Sequence, residues 1–282
     1  MPRILTYNVH RCVGGDRRLD VSRVAAVIAA LEPDIVALQE LDVGRARTGG
    51  VDQAHEIARQ LDMRCHFNAA LRVEEEQYGD AILTSLPERL VKAGPLPGLS
   101  RHMRLESRGA LWIAVEIGGV EVQVINTHLG LVPREQQIQA AALAGPGWLG
   151  RHNRRGPMIL LGDFNATAAS VVYRTLSADL GDARRLCRKK RPTSTYPSRL
   201  PMLRIDHLFV SAEIRVLDVD APYTPATRVA SDHLPLVMDF ELREELARLA
   251  PQTSSRTASK SEPEFNGAGA STSTGPASRQ PS

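Results

Sequence analysis

The short apolar runs of this chain end on groups that can do chemistry, and no other feature constrains the fold as much. Ile4 to Tyr7 closes on Asn8, Ile35 to Gln39 closes on Glu40, and Val124 to Thr127 closes on His128. Met158 to Leu161 leads into Gly162-Asp163-Phe164-Asn165, Asp206 opens the run to Val210, and Asp232-His233 opens Leu234 to Val237. Runs of this length read as buried strands. A sheet fixes the backbone, and the residue at its end reaches open space, where binding and catalysis concentrate.

Between these runs lie helical patterns. Arg3–Asn8 reads as a strand, and Val21–Leu31 as an amphipathic helix with Asp20 or Ser22 as N-cap and Pro33 past its end. Ile35–Glu40 is a strand, Asp52–Leu61 a helix and Ala81–Thr84 a short strand. Gly109–Ile117 and Val120–Asn126 flank Gly118-Gly119, a two-residue hairpin signal. Glu135–Leu143 is helical, and Met158–Leu161, Leu208–Val210 and Leu234–Leu242 are strands. Hairpins mixed with helices point away from an all-parallel sheet and toward packed mixed sheets with helices outside.

Of the 282 residues, 43% are hydrophobic and 24% charged, the balance of a globular protein; aromatics at 4% leave the core to Val, Leu, Ile and Ala. From Pro251 to Ser282 there is no Leu, Ile or Val and one aromatic, Phe265, so this stretch is expected to be a disordered tail behind a single domain, 1–250. Cys12, Cys65 and Cys187 are few, odd in number and far apart, against a disulfide framework or a structural zinc site. With no membrane-length apolar stretch and no signal-like start, a cytoplasmic location is expected, with no stable membrane insertion. The net charge of +3 excludes a global polyanion footprint but not a local one. Nothing in the sequence sets the oligomeric state.

If the polar strand ends converge, four carboxylates share one pocket. Two of them about 4 Å apart repel by about 4 kcal/mol at an effective dielectric near 20, so such a pocket needs a cation or takes up protons. Carboxylate, amide and imidazole donors without thiolate suit a hard divalent ion, Mg²⁺ first and Mn²⁺ next, with Ca²⁺ also open. Mg²⁺ keeps waters and phosphate oxygens in its shell, which makes a phosphate ester the natural substrate class.

Seven stretches in order resemble the endonuclease/exonuclease/phosphatase superfamily, which includes pancreatic-type deoxyribonucleases, apurinic endonucleases, sphingomyelinases, deadenylases and inositol polyphosphate phosphatases. They are T-Y-N-V-H at 6–10, L-Q-E-L-D at 38–42, Y-G-D-A-I-L-T-S at 78–85, I-N-T-H-L at 125–129, L-G-D-F-N at 161–165, R-I-D-H-L-F-V at 204–210 and S-D-H-L-P-L at 231–236. The resemblance implies an α/β fold, a four-layer αββα sandwich of two mixed sheets with helices on both outer faces. It implies Glu40 as principal metal ligand, Asn8 beside it on the metal or a phosphate oxygen, and Asp232 completing the shell. Asp163 is implied to orient or deprotonate the attacking water or to bind a second metal, and Asn165 to hold the phosphate or the nucleophile. His233, oriented by Asp206, is implied as general base or as donor to the developing phosphorane, and His128 as donor to a phosphate oxygen. Tyr78 falls where apurinic endonucleases carry an active-site tyrosine.

Three departures narrow the subfamily. Leu41-Asp42 stands where apurinic endonucleases carry T-K, Leu203-Arg204-Ile205-Asp206 where inositol phosphatases carry W-C-D-R, and Asp80 where members usually show Asn. The overall look is that of the small bacterial phosphodiesterase-like members. A Mg²⁺-dependent phosphodiesterase is therefore expected; a DNA or RNA nuclease and a catalytically inactive phosphate-binding module are the alternatives, with a lipid head-group phosphodiesterase behind them. Arg184-Arg185 through Arg188-Lys189-Lys190-Arg191, with Tyr196 to stack on a base, and the cluster Arg151, Arg154, Arg155 would favour nucleic acid. Arg108 in E-S-R-G-A is a candidate phosphate contact.

Overall fold

The computed structural model describes residues 1–99, 105–150, 156–189 and 193–243. The expected tail, 251–282, lies outside the described residues, as do Arg151, Arg154, Arg155, Lys190 and Arg191.

Two six-stranded mixed sheets carry the fold. The first runs β11-β12-β1-β2-β4-β3 and the second β5-β6-β7-β8-β10-β9, built from β1 Arg3–Asn8, β2 Ile35–Val43, β3 Arg64–Val73, β4 Glu76–Thr84, β5 Glu88–Pro95, β6 Gly109–Ile117, β7 Val120–His128, β8 Met158–Asp163, β9 Gly181–Asp182, β10 Asp206–Val210, β11 Ile214–Asp220 and β12 Leu236–Leu242. One parallel pair sits at the centre of each, β1 with β2 and β7 with β8; the remaining pairs are antiparallel. The helices are α1 Val21–Ala29, α2 Gln53–Leu61, α3 Pro133–Ala144, α4 Val171–Leu176 and the single turns α5 Ala183–Leu186 and α6 Thr227–Ala230.

Strand alternation produces three apolar layers. Along β1, Ile4 faces the second sheet while Leu5 and Tyr7 face the helices, and along β2 Ile35 and Ala37 face inward while Val36 and Leu38 face outward. The inner layer joins these to Ile113, Val124, Ile159, Leu161 and Leu208 of the opposite sheet. Outside the first sheet, Val24, Val27 and Ile28 of α1 and Ile57 of α2 cover Leu5, Val36 and Leu38. Outside the second, Ala140 and Leu143 of α3 and Val172 and Leu176 of α4 cover Ile125, Leu160 and Phe209. This is the expected αββα sandwich. Asp20 is the N-cap that α1 uses, accepting from the Arg23 N–H at 2.9 Å. Gly118 and Gly119 form the hairpin turn with φ of 58° and 80°, values a type I′ turn requires.

Strands β3, β5 and β11 carry no clear strand signal in the sequence, and their position explains it. Each is the outermost strand at one edge of its sheet and half-exposed, with charges such as Arg64, Arg72, Arg89 and Lys92 in place of apolar alternation. Charged edges discourage pairing with other chains.

Toward one end of the sandwich the inner layer turns polar. Gln39 Nε2 donates to Thr6 Oγ1 at 3.0 Å and to Asn126 Oδ1 at 2.7 Å, and Asn126 Nδ2 donates to the carbonyls of Leu38 and Ala81, both at 2.9 Å. This buried network ties the sheets together just beneath the strand ends.

Candidate active site

The polar strand ends meet in one cleft of about 510 Å³, walled by Glu40, Tyr78, Arg108, His128, Asp163, Asn165, Tyr196, Asp232 and His233. Local backbone features aim these groups. In β2 the register against β4 shifts between Leu38 and Leu41, and Glu40 sits in this bulge with φ of 61°. A left-handed non-glycine residue costs about 1–2 kcal/mol and is held only where its surroundings insist. Asp80, fully buried beside this bulge, has its carboxyl pushed up by burial to about 8, with Arg108 and the Glu40 backbone N–H drawing it back down. Asp80 is the departure noted above.

In the second sheet His128 and Asp163 are register partners at the ends of the parallel pair, and Asp206 faces Asp163 from β10. Gly162 makes this close approach possible: its φ is 141°, and a Cβ there would lie 1.9 Å from the Thr127 carbonyl oxygen. Gln136 and Gln139 on the buried face of α3 hold the adjoining loops, Gln136 donating to the Asn165 carbonyl at 2.9 Å and Gln139 accepting from Gly130 N–H at 2.8 Å.

Asn8 joins the sheets. Its Oδ1 accepts from the His10 backbone N–H at 3.1 Å, which turns Nδ2 toward two carboxylates, Glu40 Oε1 of the first sheet and Asp163 Oδ2 of the second, both at 3.0 Å. Both amide hydrogens of Asn8 thus face acids.

Asp163 also accepts from the Asn165 backbone N–H at 2.8 Å, and Asn165 adopts φ of 49°. Burial, reinforced by the charge of Asp206, pushes the Asp163 carboxyl up to about 7. His233 donates from Nδ1 to Asp206 Oδ2 at 2.9 Å, and its Nε2 lies 3.7 Å from Asp163 Oδ2. Burial opposes the imidazolium, but Asp206, Asp163 and Asp232 outweigh it and hold His233 up to about 10. Thr195 Oγ1 donates to the same Asp206 oxygen, while Asp206 Oδ1 is buried without a hydrogen-bond partner.

His128 is the opposite case. A guanidinium only donates, so His128 Nδ1 accepts from Arg108 Nη1 at 2.9 Å and the proton of the neutral ring is on Nε2, 3.5 Å from Asp163 Oδ2; the Asn165 Nδ2 at 3.1 Å from Nε2 is then a contact between two donors and not a hydrogen bond. Burial, then the charges of Arg108 and His233, hold its pKa well below 6.5. Arg108 is itself buried and leans on Glu106 at 3.4 Å. Tyr78 is buried on the cleft wall with the Arg47 guanidinium 5.5 Å over its ring, and Tyr196 packs tilted against His233 at 4.9 Å between ring centres.

All eleven residues singled out from the sequence thus gather at one place: ten line the cleft or touch its carboxylates directly, and Asp206 lies behind His233. The described part of the basic run does not join them. Lys189 pairs with Asp218 at 2.8 Å and Arg185 lies over Tyr173. The cleft draws its guanidinium groups instead from Arg11, Arg47 and Arg108. His10, which touches Asp232 at 3.0 Å, and Arg11 and Arg47 were not singled out, because a His or Arg beside a strand end carries no signal without its spatial partners.

The donor chemistry fits a metal. Asp163, Asp206 and His233 offer ligand atoms within 4.8 Å of one another and could hold an ion, and the wall adds Glu40 and Asp232 with no thiol among them.

Two mixed sheets thus stand face to face, with carboxylates, amides and imidazoles at their common end. The chain belongs to the Endonuclease/Exonuclease/phosphatase family, whose model matches residues 5–233. It is 25% identical over 255 residues to the uncharacterized protein YbhP of Escherichia coli, covering 85% of this chain and 96% of that one. An endonuclease/exonuclease/phosphatase structure from Beutenbergia cavernae superposes with a TM-score of 0.66 at 24% identity, covering 86% of this chain and 71% of that one. A mannosyl-6-phosphatase of Bacteroides thetaiotaomicron superposes with a TM-score of 0.66 at 19% identity, covering 86% of this chain and all of that one (100%). No helix among the described residues is long and apolar enough to cross a membrane.

Proposed function

We propose that residues 1–250 form a Mg²⁺-dependent phosphodiesterase domain that hydrolyses its ester by in-line attack of water on phosphorus. One observation carries the reading: Asn8 Nδ2 lies 3.0 Å from both Glu40 and Asp163, which brings the best cation ligand of one sheet beside the best base of the other.

Glu40 and Asp232 would hold the ion, with Mn²⁺ as a substitute. Asp163, Asp206 and His233 form the tighter cluster, but His233 Nδ1 is committed to Asp206, and a protonated, hydrogen-bonded imidazole is a poor ligand. Bound there, the ion would supply positive charge against which negative charge on the phosphate ester can build. The chain's own groups do the rest. Asp163, its carboxyl made more basic by burial and by the charge of Asp206, takes the proton of the attacking water. His233 from Nε2 and His128 from its own Nε2–H donate to equatorial oxygens as charge builds on them, and Asp206 keeps His233 charged and aimed. Asn165 holds the phosphate or the water, Asn8 bridges Glu40 and Asp163, and Tyr78 and Arg108 border the phosphoryl site.

Hydrolysis of bis(p-nitrophenyl) phosphate and of p-nitrophenyl phosphate, with Mg²⁺ and with EDTA, tests this. Turnover is expected with the metal and not with the chelator, and faster on the diester. Asp163→Asn and His233→Ala should each lower kcat at least about 100-fold with the melting temperature retained. Full activity in either variant overturns the role given to that residue, and a protein that binds phosphate without turnover is the inactive module. A nuclease is the second reading, favoured by the three guanidinium groups on the cleft wall. It requires affinity for oligonucleotides that falls steeply with salt.

A further inference from the structure

Immediately after β1 the backbone does something unusual. His10, Arg11 and Cys12 are three successive residues at positive φ, 45°, 56° and 58°, and none is glycine. Each left-handed residue costs about 1–2 kcal/mol, and strain of this kind persists where the surroundings over-determine it, as at ligand clamps. The surroundings here are specific. Cys12 is fully buried, Gln53 Nε2 donates to the Arg11 carbonyl at 2.7 Å, the Asp20 N–H donates to the Cys12 carbonyl at 2.9 Å, and Asn8 takes the His10 N–H.

The turn delivers a cation to the cleft. Arg11 Nη2 donates to His10 Nε2 at 2.7 Å, so the ring carries its proton on Nδ1 and donates to Asp232 Oδ2 at 3.0 Å. The Arg11 guanidinium lines the cleft with Nε buried and without a hydrogen-bond partner. Among the described residues no carboxylate lies within 4.0 Å of it. The other two guanidinium groups on the wall are differently placed: Arg47 is held by both oxygens of the fully buried Asp42 at 2.6 and 2.7 Å, and Arg108 faces Glu106 and His128. The cleft is also larger than one phosphoryl group needs, in the range of about 300–1,000 Å³ that takes whole small ligands.

We propose that Arg11 is a specificity residue forming a subsite for a second, non-scissile phosphate on the substrate. This rests on the phosphate-ester reading of the cleft and names the substrate class within it, a bis-phosphorylated ester. Guanidinium suits the task because its fork matches phosphate oxygens in pairs. The strained turn would then fix the direction of the fork, so little side-chain entropy remains to be lost on binding. The second phosphate can be the terminal monoester of a small molecule or the next diester along a nucleic acid, and the two sources are separable by experiment.

The probes share one scissile group. They are the p-nitrophenyl ester of thymidine 5′-phosphate, the same ester carrying a 3′-phosphate, and the same ester extended by a 3′,5′-linked thymidine. With Mg²⁺, the protein should turn over the 3′-phosphorylated ester with kcat/KM at least about tenfold above the unphosphorylated one, mostly through KM. A matching gain on the extended ester assigns the subsite to a nucleic-acid diester, and a gain on the 3′-phosphate alone assigns it to a terminal monoester. In Arg11→Met the ratio should fall to about one, with partial return in Arg11→Lys. Arg11→Gly suits the left-handed turn, so its melting temperature should not fall while the preference is lost. Titration of EDTA-treated protein with thymidine 3′,5′-bisphosphate and thymidine 5′-phosphate should show the same order of affinities without turnover. A ratio near one in the unmodified protein, or a ratio unchanged in Arg11→Met, overturns the subsite. Absence of turnover on every ester overturns the phosphodiesterase reading instead.

Discussion

Replacing Asp206 by Asn tests the charge logic of the site most directly, because the two side chains have nearly the same shape. Asp206 Oδ2 accepts from His233 Nδ1 at 2.9 Å and from Thr195 Oγ1, and an amide oxygen in the same place can accept both bonds. What disappears is the negative charge. At roughly 4 Å between charge centres and an effective dielectric near 20, that charge favours the imidazolium by about 4 kcal/mol, or about three pKa units. His233, held up to about 10, should therefore fall to near about 7 in the variant. Proton NMR titration of the ring in EDTA-treated protein reads this shift. The kinetic consequence is a pH profile: at pH 8.5 the variant has lost its cationic donor and kcat should drop about 100-fold, while at pH 6 the drop should be smaller. Stability carries the same signature. A raised folded pKa stabilises fully below the unfolded value of about 6.5, and the contribution is lost as pH rises through the folded one. The melting-temperature gap between the two proteins should be widest near pH 6 and close toward pH 10. If His233 in the variant titrates within one unit of the original, Asp206 is not what holds the proton, and its assignment as the orienting carboxylate is wrong.

Two other perturbations read the scaffold. Asp182 accepts from Arg204 at 2.8 and 3.1 Å and from the Tyr173 hydroxyl at 2.6 Å. Burial raises its carboxyl, but the Arg204 and Tyr173 hydrogen bonds outweigh burial and hold it below 3.8. Its stabilisation is present above that value and lost as pH falls through the folded pKa. Asp182→Asn, which leaves Arg204 without its carboxylate partner, should cost about 3 kcal/mol at pH 7 in urea unfolding, and the difference should shrink below pH 4. Gly162→Ala puts a methyl group 1.9 Å from the Thr127 carbonyl oxygen; a loss of more than about 3 kcal/mol is expected, and a melting temperature within a degree of the original would contradict the close approach of β7 and β8.

Much of this molecule is written locally in the chain. The strands that enter the core announce themselves because both faces are covered, as in Ile35–Leu38 and Met158–Leu161, and the helix over α1 announces itself through the spacing of Val24, Val27 and Ile28 and the cap at Asp20. The chemistry-bearing residues are legible for the same reason: a polar side chain that ends an apolar run interrupts a pattern, as Asn8, Glu40, His128 and Asp163 do. Residue identity and spacing along one strand are local quantities. Whether those ends meet is not. Only the stacking of the two sheets sets Asn8 between Glu40 and Asp163, and only the neighbours so assembled decide that His233 holds a proton while His128 does not, since burial and opposing charge act through space. The edge strands β3, β5 and β11 were hidden because half-exposed backbone tolerates charge. Arg11 was hidden because nothing in the string H-R-C reports a left-handed turn, which the buried Cys12 and the hydrogen bond from Gln53, forty-two positions away, impose on it.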